Sequence, residues 1–299
     1  MAWAIRASIS SMSAAILSRT ALAVIVVFFA LPVLAALALS LTDFDIYALA
    51  DGGNLRFVGL GNYLGLMRNP LFWQALGNTF YFVLVGVPLS IALSLGAALL
   101  LHSRLGAFKP FFRTAYFAPV VTTVVAVAVV WRYLFHTRYG LVNWALAGIG
   151  IEPVDWLGDP DWAMPTIILF AVWKNFGYNM IIFLAGLQAI PEDLYEAARI
   201  DGASRWRQFL HVTLPMLGPV MLMVAILTLS GYFQLFAEPY VMTQGGPLQS
   251  TVSVLYLMYE EGFKWWNLGN ASAVAFTLFV IMATITYGLL WIARRKGAE

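Results

Sequence analysis

Long apolar runs separated by short polar connections dominate the pattern along this chain. Six runs reach the roughly 20 residues that a helix needs to cross a hydrocarbon core ~30 Å thick. The runs are continuous and do not alternate between apolar and polar positions, which favours helices over membrane strands. We therefore predict an all-α polytopic membrane protein with six transmembrane helices. These helices are predicted at residues 21–41, 79–101, 114–131, 163–187, 214–236 and 271–293.

The connection between the fourth and fifth runs is amphipathic. Its apolar face consists of residues at helical spacing, namely Leu194, Ala197 and Ala198. Pro191 suits the first turn of a helix, and Gly202 suits its end because glycine adopts the left-handed conformation there. The pattern predicts a helix over 191–201 and a second short helix over 203–211. Together they would lie on one face of the membrane.

Positive charge orients the predicted helices. Of the 17 lysines and arginines, eleven fall in segments on the side of the N-terminus, five fall on the opposite side, and Lys174 falls inside a span. Connections rich in lysine and arginine stay in the cytoplasm. We therefore predict that both termini and the amphipathic connection are cytoplasmic.

Composition removes several classes of function. The chain has 299 residues, of which 61% are hydrophobic and 11% are charged, whereas soluble domains carry about 25% charged residues. It has no basic cluster with interleaved aromatics, so we expect no nucleic acid partner. Cysteine is absent, and His102, His136 and His211 fall in three separate connections. We predict no catalytic residues, no metal site and no cofactor in this chain.

Polar residues inside the fourth span form the best candidate for a solute path. The strip consists of two pairs at i, i+4 spacing: Lys174 with Tyr178, and Asn175 with Asn179. Polar side chains within a membrane tend to face a cavity. Hydrogen bonding between helices explains them equally well. Tyr232 and Gln234 in the fifth span form a second candidate group, for which packing is the favoured explanation.

The amphipathic connection also carries a recognisable signature, formed by Glu196, Ala197, Ala198, Gly202, Val212, Leu214 and Pro215. It resembles the cytoplasmic EAA loop of the permease subunits of binding-protein-dependent ABC importers. Residues 57–63, 116–119, 183–191 and 243–247 are similar to the carbohydrate-uptake branch of that family. The chain resembles the first of its two permease types, typified by the maltose and glycerol-3-phosphate permeases, with a MetI-like transmembrane domain.

The resemblance implies a working unit and a role for the loop. The partners would be a second six-helix permease subunit, a dimer of ATP-binding subunits and an external solute-binding protein, with a carbohydrate as substrate and lipid around the spans. The complex would sit in the bacterial cytoplasmic (inner) membrane. ATP and Mg would bind to the partner ATPase subunits, since this chain lacks the glycine-rich loop that cradles phosphates. The Glu196 loop would be the coupling helix that docks on the ATPase.

This interpretation divides the chain into three parts. Residues 1–20 form a cytoplasmic tail, and 21–77 hold the first helix and an external segment. Residues 78–299 form a permease core of five transmembrane helices, including the coupling loop 190–213.

Two other functions remain as alternatives. A stand-alone secondary transporter predicts carboxylates inside the membrane, but the six predicted spans contain no Asp or Glu. A membrane-embedded enzyme predicts a catalytic motif, and no His-Glu-x-x-His or Gly-x-Ser-x-Gly occurs. Glu238, Glu260 and Glu261 are predicted outside the membrane as solvated charges, with contact to the binding protein as the alternative.

Overall fold

The computed structural model describes residues 22–51, 53, 55–102 and 109–296. The predicted tail 1–20 lies outside these residues. The described chain is helical, and we number its helices in order. They are α1 (Leu22–Ser40), α2 (Ile46–Ala50), α3 (Gly61–Arg68), α4 (Pro70–His102), α5 (Lys109–Val121), α6 (Val124–Leu134), α7 (Leu141–Ala147), α8 (Pro160–Gln188), α9 (Glu192–Ile200), α10 (Arg205–Gln208), α11 (Gly218–Phe233), α12 (Ala237–Met242), α13 (Val254–Tyr259) and α14 (Leu268–Lys296).

Within the described residues, five helical stretches are long and apolar enough to cross a membrane. They are α1, α4, α8, the stretch Gly218–Met242 that joins α11 to α12, and α14. Each overlaps a predicted span. The fifth begins at Gly218 rather than at residue 214, because a π-helical turn and a short helix, Leu214–Met216, precede it. The predicted division at residues 77 and 78 falls inside α4.

The predicted third span, 114–131, is wrong as one continuous helix. The chain bends there by 100° between α5 and α6. Pro119 lies inside α5 and cannot donate a backbone hydrogen bond. The hydroxyl of Thr122 donates to the Pro119 carbonyl at 2.6 Å, and Thr123 is extended. The helix therefore stops and restarts instead of continuing across.

One compact unit comprises the described residues up to Arg68 together with Met258–Thr277. The Asn62 side chain donates to the carbonyls of Ser40 and Thr42, at 2.9 and 2.8 Å, where α1 ends. The backbone N–H of Gly269 donates to the Phe44 carbonyl at 2.9 Å. These bonds tie the end of α1 to the start of α14.

The second unit comprises the described residues from Asn69 to Leu257 and from Leu278 onward. The helix α8 begins at Pro160 behind the capping side chain of Asp159. It packs along α4, and α11 packs against both. The buried core between them consists of Leu95, Ala98, Leu101, Met180, Phe183, Leu184, Leu187, Leu217 and Val224. Small residues bring the helices close, since a Cβ on Gly177 would lie 2.1 Å from the backbone oxygen of Tyr116 on α5.

Candidate functional site

A cavity of about 480 Å³ lies within the second unit, between α8, α11 and two interruptions in neighbouring helices. The first interruption is the bend between α5 and α6, and the second is the unwound stretch 234–236 between α11 and α12. The cavity brings together all six residues that the sequence singled out for a solute path. They are Lys174, Asn175, Tyr178, Asn179, Tyr232 and Gln234.

Lys174 holds the end of a helix. Its side chain is 8% exposed, and Nζ donates to the Val120 carbonyl at 3.2 Å. Val120 is in the last turn of α5, where carbonyls lack partners within the helix and the helix dipole is negative. The lysine thus stabilises the point at which the third span breaks, and it lines the cavity at the same time.

The other three residues of the strip differ in role: some bond to helices, and one is accessible from the cavity. Asn179 is buried and donates to the Thr228 hydroxyl of α11 at 2.8 Å, so it joins two helices. Asn175 donates to Ala171 of its own helix at 2.9 Å. The Tyr178 side chain is 50% exposed where it lines the cavity. Both explanations given for the strip therefore have side chains that fit them.

Tyr232 fills a space left by a glycine. Its ring packs on Phe82 of α4 with the centroids 4.9 Å apart, and a Cβ on Gly86 would lie 2.6 Å from the ring. The Tyr232 hydroxyl is buried near the Ser90 and Asn175 side chains, and it makes no hydrogen bond of normal geometry to the described residues. Gln234 is exposed, and its side chain donates to the Ser230 carbonyl at 3.1 Å. The favoured packing explanation thus describes the Tyr232 ring but leaves its hydroxyl without a role.

Glu238 is a cavity residue that the sequence interpretation placed outside the membrane. It is the second residue of α12, it lines the cavity, and it lies inside the fifth apolar stretch. The fifth apolar stretch of the structure therefore extends past the predicted end at residue 236 and includes Glu238. The apolar run in the sequence ends at Phe236, where the chain unwinds, and a helix resumes at Ala237. Pro239 was the available signal, because proline marks the first turn of a helix as readily as its end.

The predicted coupling loop folds as two short helices. The helix α9 follows Pro191, and Gly202 has a φ of +75°, which glycine accommodates without strain. The second helix is shorter than predicted: α10 ends at Gln208, and the π-helical turn Phe209–Thr213 follows. The Tyr195 hydroxyl bonds the Thr213 hydroxyl at 2.9 Å, which fixes one side of α9 to the chain that leads into α11.

The opposite side of α9 is open. The Leu194 side chain is 40% exposed and that of Ile200 is 87% exposed, with Ala197 exposed between them. The Arg199 guanidinium lies 3.2 Å from a Glu192 carboxylate oxygen and 4.0 Å from one of Glu196. The loop therefore presents an uncovered apolar strip with charged residues beside it.

The segment between α6 and α8 is held by one buried amide. Asn143 donates to the carbonyls of Thr137 and Val154, and accepts from the Val154 N–H and the Trp156 indole. Asp155 accepts from the Thr137 hydroxyl at 2.7 Å. These acidic and aromatic residues serve local structure.

Comparison with known proteins gives consistent matches. The family described as "Binding-protein-dependent transport system inner membrane component" matches residues 58–296. The lactose transport system permease protein LacF of Rhizobium radiobacter is 38% identical over 92% of both chains. The trehalose/maltose transport system permease protein MalF of Thermococcus litoralis is 37% identical over 91% of this chain and 90% of its own. A chain of the bacterial ABC transporter that imports the acidic polysaccharide alginate shares the fold, with a TM-score of 0.80, 23% identity and 96% coverage of both chains.

Proposed function

Because this chain belongs to the family of binding-protein-dependent transport system inner membrane components, we propose that its cavity and its α9 loop perform the two tasks of an importer permease. The cavity would pass the solute, and the α9 loop would receive the movement that ATP hydrolysis drives in a partner subunit. The chain is a permease subunit of a sugar ABC importer. The proposed cargo is a sugar or related polyol, as the names of the lactose and trehalose/maltose relatives suggest. It would arrive on an external solute-binding protein and leave into the cytoplasm.

The observation that carries the solute path is the convergence of all six candidate residues on one cavity. Amides and hydroxyls offer hydrogen-bond partners to sugar hydroxyls, and aromatic rings offer flat apolar surfaces. Two interrupted helices border the cavity, and irregular backbone at membrane depth is stable where it lines such a space. This arrangement supports the cavity as the permease's part of the path, with a second permease subunit completing it.

The open side of α9 supports a docking role. Tyr195 bonds to Thr213 in the chain that leads into α11, so this side would transmit motion to a helix that borders the cavity. The other side leaves Leu194, Ala197 and Ile200 uncovered. We propose that an ATP-binding subunit covers this strip on the cytoplasmic face. This chain would then have no ATP site of its own, with ATP and Mg held by the partner dimer.

The solute path is tested by uptake of radiolabelled lactose, trehalose and maltose into proteoliposomes that hold the whole complex and its binding protein. Tyr178→Ala removes a ring from the cavity, and we expect KM to rise about tenfold. Tyr287→Ala is the matched control, because Tyr287 is 70% exposed on α14 and is not a lining residue. Equal kinetics for the two variants would contradict the proposed path.

The coupling role is tested with two acids of the same helix. Glu196→Gln alters the signature, whereas Asp193→Asn removes an exposed carboxylate in the first turn of α9. We expect Glu196→Gln to reduce sugar imported per ATP hydrolysed, or recovery of the ATPase with the purified permease, and Asp193→Asn to change neither. Normal coupling in Glu196→Gln would return α9 to the role of a surface helix.

A further inference from the structure

The cavity holds two opposite charges. Lys174 and Glu238 are its charged residues among the described lining. They come from different elements, α8 and α12, and each lies beside one of the two helix interruptions. A carboxylate in the wall of the proposed solute path disfavours solutes that carry negative charge.

The positive member of this pair is already engaged. The Lys174 ammonium donates to the Val120 carbonyl at the negative end of α5, and its side chain is buried. Its ammonium is thus held at a helix end by the carbonyl to which it donates. Sites built for anions use free cationic groups, most effectively arginines with two parallel donors. The described lining contains no arginine.

The remaining polar lining is neutral. Asn175, Gln234 and the Tyr178 and Tyr232 hydroxyls provide donors and acceptors without charge. The Tyr232 hydroxyl is buried near the Ser90 and Asn175 side chains but makes no hydrogen bond of normal geometry to the described residues, so a hydroxyl of a bound solute would offer it a partner. The Glu238 carboxylate accepts hydrogen bonds from sugar hydroxyls and repels a carboxylate or sulfonate.

We infer that Glu238 makes this cavity selective for uncharged, hydroxyl-rich saccharides and excludes acidic ones. This inference rests on the proposed solute path and adds the charge class of the cargo. The fold alone leaves that class open, because a transporter of the same fold imports the acidic polysaccharide alginate. The discrimination here comes from the side chains of the cavity.

The experiment measures the cavity directly, without the selection made by a binding protein. The chain has no cysteine, so Gln234→Cys creates a single thiol in this chain at an exposed cavity position. Assembled with cysteine-free partner subunits, the complex is labelled with a small thiol reagent in the presence of lactose, maltose or digalacturonate. We expect the neutral sugars to slow labelling at concentrations at least tenfold below those that digalacturonate requires.

A second variant tests whether Glu238 causes the difference in protection between neutral and acidic probes. Adding Glu238→Gln removes the negative charge, and we expect the difference between neutral and acidic probes to narrow. Glu152→Gln, an exposed acid outside the cavity, is the control and leaves the difference unchanged. If digalacturonate protects the wild-type cavity as well as lactose does, the inference is overturned while the solute path stands. If no probe protects the thiol, the solute path itself is contradicted. A difference that persists in Glu238→Gln excludes Glu238 as its cause.

Discussion

Replacing Gly177 by alanine tests whether the contact between α8 and α5 sets the geometry of the cavity. The added methyl group would lie 2.1 Å from the Tyr116 backbone oxygen, and ordinary contact begins near 3.4 Å. Backbone cannot rotate away as a side chain can, so the two helices must separate by about 1.3 Å, at a cost of roughly 1–3 kcal/mol for overpacking. Such a shift carries the 3.2 Å bond between Lys174 and Val120 beyond hydrogen-bond distance.

The matched control is Gly96→Ala on α4, where an added Cβ meets no atom within 4 Å. Alanine is favoured over glycine in a helix by about 1 kcal/mol. The control therefore shows how much stability alanine adds when its methyl group displaces no neighbouring atom. We expect Gly177→Ala to unfold several degrees below Gly96→Ala in a thermal melt of the purified complex, and to import sugar more slowly. If the two variants have the same Tm and the same uptake rate, the close approach does not hold α5 in place and the reasoning fails.

Three further predictions concern the loops. Tyr195→Phe removes the 2.9 Å bond to Thr213, worth about 1 kcal/mol; we expect faster hydrogen exchange in α9, and unchanged exchange would show that this bond does not anchor the helix. Asn143→Ala leaves four hydrogen-bonding groups without their partner, so we expect a loss of about 1–3 kcal/mol, visible as a lower Tm; an unaltered melt would contradict this. A cysteine replacing the exposed Ser204 should react with an impermeant maleimide from the cytoplasmic side, whereas labelling from outside would reverse the proposed orientation.

The long helices were predictable because length and hydropathy are local properties. The fourth span, predicted at 163–187, is the helix Pro160–Gln188. The break in the third span was not predictable in the same way. Prolines are common in membrane helices, and Pro88 lies within the continuous α4. The break after Pro119 coincides with a hydrogen bond to the Val120 carbonyl from Lys174, which lies 54 positions after Val120 in the chain, and no local pattern reveals such a partner.

The sequence indicated the residues that α8 contributes to the candidate cavity, but it did not indicate Glu238. A polar strip at i, i+4 spacing indicates that its members share a face, which is why Lys174 and Tyr178 were found together. Glu238 follows an unwound stretch, so helical periodicity could not place it relative to α8. Its position depends on how the chain resumes a helix after Phe236, where the backbone has a φ of −146° and a ψ of −56°. That geometry is set by tertiary packing of α12 along α6.

The pairing of Gly86 with Tyr232 has a consequence for how this chain can change over evolutionary time. The tyrosine ring occupies the volume that a side chain at position 86 would need, and the separation of 2.6 Å leaves no room for a methyl group beside it. Position 86 therefore cannot acquire a side chain while tyrosine occupies position 232. A lineage that acquires alanine at 86 must first, or simultaneously, acquire a smaller residue at 232, and the two positions should vary together across homologous chains although they lie 146 positions apart.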